Sequence, residues 1–186
     1  MIFSRFLLVA LAAVGVVAHS ASPHKRGMVK VPLNPMNLGI REYSASPYQS
    51  AVAKLKDYQE QTSDAIAGPP SEREAKLVSI TAGLLEVVKA YNSDFKSKFS
   101  LLDLSNIAKS GEMSDFGRKL YVILRSCKGT RSEGLYNNIH EIGAEVDAMG
   151  DFMASKLPST LAAMVLPAFA RYSDKIDMIE MATKAY

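Results

Sequence analysis

The chain has 186 residues, 48% of them hydrophobic and 22% charged, with a formal net charge of +3 at neutral pH. Three of its 22 basic residues (Arg5, Lys25 and Arg26) and none of its 19 acidic ones fall in the first 26 positions, so the remainder balances at 19 against 19. A nucleic-acid binder keeps a basic surface, and that class is excluded.

At the N-terminus, Arg5 precedes the apolar run FLLVALAAVGVVA, Phe6 to Ala18. This is the form of a secretory signal peptide over 1–20, with small residues for cleavage near 18–21. The run is shorter than the ~20 residues of a membrane span, and no later segment is as apolar, so no integral span is expected. Residues 21–26 read as a pro-segment ending in the dibasic pair Lys25-Arg26, a cleavage signal of secretory-pathway proteases, fungal ones especially; the alternative is a pair that occurs by chance. The expected product is secreted and extracellular.

Residues 27–46 contain Pro32 and Pro35 and show no sustained period. They read as an extended arm able to pack on the body through Val29, Leu33, Met36 and Ile40. From 47 to 186 the punctuation is helical. Ser46-Pro47 offers an N-cap with proline at the first helical position. Ala51, Val52, Leu55, Tyr58, Thr62, Ala65 and Ile66 then share one face as far as Gly68 and Pro69-Pro70. Ser71 and Glu74 have the spacing of a capping box for a long helix to about Phe99, with Leu77, Ile80, Leu84, Val88, Tyr91 and Phe95 inward.

A short helix is predicted over Leu101 to Lys109, then one capped by Ser114, with Phe116, Leu120, Ile123, Leu124 and Cys127 inward, ending near Gly129. Cys127 is the only cysteine, so no internal disulfide can form and a hydrophobic core must supply stability. Its position on the apolar side predicts a buried thiol; an intermolecular disulfide is the alternative.

The next helix, about Ser132 to Leu157, has the clearest register. Leu135, Ile139, Ile142, Val146, Met149 and Met153 alternate by four and three, the seam of a helix packed in a bundle. Pro158 ends it, and a last helix to about Ala185 presents Leu161, Val165, Phe169, Tyr172, Ile176 and Ile179, with Pro167 inside it to kink or split it. The fold expected is all-α, a single-domain bundle of five or six amphipathic helices with the last kinked near Pro167. The segment 118–131 carries only basic charges and 133–151 only acidic ones, and a short loop joins them. These two helices are therefore expected to be antiparallel neighbours with complementary flanks; the alternative is two solvated faces with unrelated charges.

Chemistry is sparse. His140 is the only histidine beyond the dibasic pair and lies beside the seam, which reads as a surface or edge position. No metal-ligand spacing, serine elbow or phosphate loop is found. No enzyme activity, cofactor or metal is expected.

Methionines and small residues crowd the last two helices: Met149, Met153, Met164, Met178 and Met181, with Gly143, Ala144, Ala148 and Gly150 among them. A glycine costs a helix interior roughly 1 kcal/mol relative to alanine, so Gly143 and Gly150 need a reason. They allow either a close neighbouring helix or an elongated apolar cavity between helices. A third reading lays the apolar faces on a hydrophobic surface. The candidate cavity lining is Leu84, Val88, Leu120, Leu124, Ile139, Ile142, Gly143, Val146, Met149, Gly150, Met153, Leu161, Met164, Val165 and Phe169.

The stretch LLDLSNIAKSGEMSDFGRKLYVIL (101–124) and the ending FMASKLPSTLAAMVLPAFARYSDKIDMIEMATKAY (152–186) resemble the short third helix and the paired closing helices of the fungal hydrophobic surface-binding proteins, with which cell-wall galactomannoprotein ligand-binding domains are grouped. The proline-containing arm departs from that pattern. The resemblance implies a small secreted helical protein without catalysis. Some members adsorb to hydrophobic surfaces and recruit hydrolases there; others sequester fatty acids in the bundle core. The function expected is binding of an apolar ligand or a hydrophobic surface, with cell-wall association. The alternative is an effector or wall protein with a dry core and a protein partner.

Overall fold

The computed structural model describes residues 47–99 and 112–185. The expected signal peptide, the expected pro-segment with Lys25 and Arg26, the arm, the expected Ser46 cap and the short helix predicted over Leu101 to Lys109 lie outside the described residues. Among those described there are five helices and no strand: α1 (Pro47–Ala67), α2 (Pro70–Lys98), α3 (Glu112–Ser126), α4 (Glu133–Lys156) and α5 (Ser159–Thr183).

Proline and glycine set the boundaries as expected, but side-chain caps do not. α2 starts at Pro70 with Pro69 as its cap residue and no side-chain cap bond. Ser71 therefore sits inside the first turn, and the Ser71–Glu74 capping box does not form. Proline at the first position presets the helical φ and has no N–H to satisfy, so the helix opens two residues earlier than a Ser71 cap would place it. Ser114 likewise lies inside α3, which begins at Glu112. Gly129 adopts φ +93 beyond the end of α3, a backbone region open to glycine without strain.

The helices form a ring in the order α1, α2, α4, α5, α3. α1 and α2 are antiparallel, and the Arg73 guanidinium closes their joint on the Ile66 carbonyl at 2.8 Å. Along this seam the Tyr58 hydroxyl occupies the place a side chain on Gly83 would take, so glycine there permits the close approach. α2 and α4 run parallel, linked from Asn138 to the Val78 carbonyl (3.1 Å) and Thr81 hydroxyl (3.0 Å), and from Asn92 to Glu145 (2.8 Å to its carbonyl and to its carboxylate). Glu145 is thus an anchor for a buried amide rather than a residue of a solvated face.

α3 and α4 are not neighbours. Their mutual contact is marginal, and α4 packs on α2 and α5 instead. The short loop fixes opposite directions, but the four-three seam of α4, buried from Leu135 to Met153, selects its partners. Glu141 accordingly pairs with Lys89 of α2 at 3.2 Å rather than with a base of α3.

The core is continuous from Leu55 and Leu77 through Leu84, Leu124, Ile139 and Ile142 to Met153. Each such leucine or isoleucine, fully buried, contributes about 1.5–3 kcal/mol. Ile66, expected inward, is exposed at the end of α1. Cys127 is fully buried, and burial pushes its thiol pKa up to about 12. A thiolate is the reactive form, so we expect no labelling of the native protein by iodoacetamide at pH 8 and stoichiometric labelling after denaturation, read by intact mass.

α5 runs antiparallel to α4 and bends at Pro167 without breaking. Near its C-terminus, exposed His140 stacks on Tyr136 and lies 3.3 Å from Glu180. Asp177 nearby has its pKa raised by burial and by Glu180, Asp147 and Asp174, with His140 opposing. A raised carboxyl pKa contributes stability that is complete below the unfolded value and is lost as pH rises through the folded one. Asp177→Asn is therefore expected to raise the melting temperature at pH 7 relative to the parent, with the difference vanishing below pH ~3.8, the ordinary value.

Candidate functional site

The ring is tightly closed at every seam except α3 with α5, where the contact is thin. At that seam lies a largely apolar cleft of about 880 Å³. α2 and α4 supply its floor through Val88, Tyr91, Asn92, Val146 and Met149. One wall is Met113, Ser114, Phe116, Gly117, Leu120 and Tyr121 of α3; the other is Ala163, Pro167, Ala168, Phe169, Tyr172 and Met178 of α5. Charged groups, Arg118, Arg171, Asp174 and Lys175, stand at its exposed rim.

Local chemistry explains the opening. Proline has no N–H and its ring crowds the carbonyl four residues back, so Pro167 interrupts the hydrogen-bond ladder at Ala163. Both residues line the cleft, and the bend lies within its wall. Below the bend the walls are tied together. The Tyr172 hydroxyl donates to the Gly117 carbonyl at 2.7 Å, and the Lys175 ammonium sits 5.7 Å from the centre of the Tyr121 ring. Burial and the neighbouring Tyr121 raise the Tyr172 pKa, which keeps the hydroxyl protonated as a donor. Tyr91 stacks on Phe116 at 4.2 Å between ring centres, joining floor to wall.

The mouth is pinned from the other side. Asp115, beside Ser114 and Phe116, accepts from Tyr48 of α1 at 3.0 Å and pairs with Arg118 at 2.6 Å and Lys119 at 3.0 Å. Burial raises the Asp115 carboxyl, but these hydrogen bonds outweigh it and leave the pKa below the ordinary value.

Of the residues expected to line a cavity, Val88, Leu120, Val146, Met149 and Phe169 do so. Leu84, Leu124, Ile139, Ile142, Met153 and Val165 are instead consumed by the packed core, and Leu161 is half-buried against it. The side chain of Met164 lies outside the described residues. Gly143 and Gly150 face helix α5: a Cβ at Gly143 would meet Ile176 Cγ2 at 3.5 Å, and one at Gly150 would meet Phe169 Cβ at 3.4 Å. Their role is close helix contact, and neither lines the cleft. Gly150 nevertheless bears on the site, because the ring it seats from behind, Phe169, is part of the cleft wall.

Tyr91, Tyr121, Tyr172 and the rim charges were not among the expected lining. An aromatic residue on an apolar stripe carries no signal of whether it faces a helix or a void. Pro167 with Ala163 and Ala168 on one side and Gly117 on the other was the available clue.

The lining supplies enclosure, apolar contact and a charged rim. It includes no histidine or cysteine, and among the described residues no cluster of His, Cys, Asp or Glu could hold a metal ion. No described helix is long and apolar enough to cross a membrane. Comparison with known protein families, curated proteins and solved structures gives no match.

Proposed function

We propose that the chain is a secreted, non-catalytic binding protein that holds an apolar small molecule, a fatty acid or a similar lipid, between α3 and α5. The observation that carries this reading is the apolar cleft of about 880 Å³ at the one thin seam of the ring. Its volume falls in the range of small-molecule sites, about 300–1,000 Å³, and sites between bundle helices are a recurrent arrangement. The methionines Met113, Met149 and Met178 suit an irregular alkyl surface, because their side chains adapt at low cost.

Native mass spectrometry together with displacement of the fluorescent fatty acid cis-parinaric acid tests the reading. Saturable, stoichiometric binding supports it. Absence of both a bound mass and probe binding would sink it.

A second reading, adsorption to a hydrophobic surface such as a cuticle or polyester in association with the cell wall, is favoured by the exposed Met178 (59%) and Met181 (61%) of α5. Retention on hydrophobic beads with unchanged helicity, in the absence of probe binding, is the result that selects it.

A further inference from the structure

The mouth of the cleft is open: Ala163, Pro167 and Met178 in its wall are exposed. An apolar groove of this size in water invites an occupant, and the chain carries one next to it. The first helix begins at Pro47, and its second residue, Tyr48, is hydrogen-bonded at 3.0 Å to Asp115, whose neighbours Ser114 and Phe116 are both in the cleft wall. Asp115 also holds Arg118 and Lys119, so the helix end from which the arm 27–46 departs is tied to α3 beside the cleft wall.

The arm has the composition of a cleft-filling segment. Met28, Val29, Val31, Leu33, Met36, Leu38 and Ile40 are apolar, and its charged residues are Lys30, Arg41 and Glu42. Pro32 and Pro35 each fix a backbone angle, which lowers the entropy lost when an extended segment docks. Length permits it: the chain from Leu33 to Pro47 reaches about 46 Å when extended. The cleft wall from Ala163 to Met178 is about 22 Å of helix. A tether this short gives an effective concentration in the millimolar range, so weak contacts suffice. Cleavage after Arg26 would leave the arm attached.

We propose that the apolar arm, residues 28–40, docks in the α3–α5 cleft as an internal occupant that an incoming apolar ligand must displace. The docking stands on the cleft and the tether alone; the competition rests on the proposed ligand reading. An arm that occupies the cleft most of the time lowers apparent ligand affinity by the fraction of chains left open.

Photo-crosslinking of the purified full chain with benzoylphenylalanine at position 33 or 36 tests the docking. The expected result is an intramolecular crosslink to peptides spanning 113–121 or 163–178, suppressed by cis-parinaric acid. Crosslinks elsewhere, crosslinked dimers (the arm seated on a second copy), or no crosslink would overturn it. The competition is tested separately with Leu33→Asp combined with Met36→Asp. Arm release is expected to tighten probe binding by about fivefold or more, and an unchanged Kd overturns the competition. Crosslinks in the cleft with no probe binding by either chain would leave the docking standing and remove the ligand reading.

Discussion

Pro167→Ala is expected to make the protein more stable and a poorer binder. A proline inside a helix costs about 3 kcal/mol relative to alanine, through the lost N–H and the clash with the preceding turn. α5 bends around this residue, which recovers part of that cost, so the gain on substitution should be about 1–3 kcal/mol. The same change restores a donor for the Ala163 carbonyl and lets α5 straighten towards α3, narrowing the cleft that both residues line. Thermal melting should rise while the Kd for cis-parinaric acid weakens by about tenfold, ~1.4 kcal/mol. Stabilisation with unchanged binding would mean that packing on α4, rather than the proline, sets the path of α5. Such an exchange of stability for function is common where a strained element shapes a site.

The second large effect concerns the two glycines of α4. Gly150→Leu places a branched side chain where even a Cβ would lie 3.4 Å from Phe169 Cβ and 3.5 Å from its Cγ. Overpacking of this kind costs about 1–3 kcal/mol, and the better helix propensity of leucine returns less than 1 kcal/mol. A net loss of about 1–2 kcal/mol corresponds to a fall in Tm of about 4–8 °C for a domain of this size. Because Phe169 would be driven into the cleft, probe binding should weaken as well. Gly143→Ala should act in the opposite direction. Its Cβ would make ordinary contact with Ile176 at 3.5 Å, so the propensity gain of roughly 1 kcal/mol survives and Tm rises. The opposite signs follow from the size of the side chain added, because a Cβ at either glycine meets its neighbour at ordinary van der Waals distance, 3.5 Å at Gly143 and 3.4 Å at Gly150, and only the leucine reaches further. A rise in Tm for Gly150→Leu, or a fall for Gly143→Ala, would contradict the assigned contacts.

Much of the architecture is legible in the residues, for reasons that stay local. Pro69-Pro70, Gly129 and Pro158 end helices because of backbone geometry that tertiary structure cannot override. The four-three spacing from Leu135 to Met153 marks a buried face whatever the partner. Partner identity is another matter. The charge segregation between 118–131 and 133–151 suggests adjacent helices, yet α4 turns its seam to α2 and α5, and electrostatic pairs of exposed residues are too weak, at roughly 0–1 kcal/mol, to decide the arrangement.

The site is less legible still. A glycine on a helix announces close approach without saying of what: Gly143 meets Ile176, Gly150 meets Phe169, and Gly83 makes room for the Tyr58 hydroxyl. The void lies elsewhere, where Pro167 diverts α5 and the contact between α3 and α5 thins. That is a property of how two helices diverge, and no single stretch of sequence contains it. Five residues of the expected lining reach the cleft because the stripes of α2, α3, α4 and α5 point to the common centre; Leu84, Leu124, Ile139, Ile142, Met153 and Val165 are buried in the core at levels where the helices close.

The methionine methyl groups offer the most direct reading of the central claim, that the cleft between α3 and α5 is a binding site for an apolar molecule. Met113, Met149 and Met178 line it, Met153 is buried in the packed core, and Met181 is exposed beyond the lining. In a ¹³C-methyl-methionine spectrum titrated with cis-parinaric acid, the first three resonances should shift together and saturate at one equivalent, while Met153 and Met181 stay in place. Shifts centred on Met153, or a titration that leaves Met113, Met149 and Met178 unmoved, would contradict it.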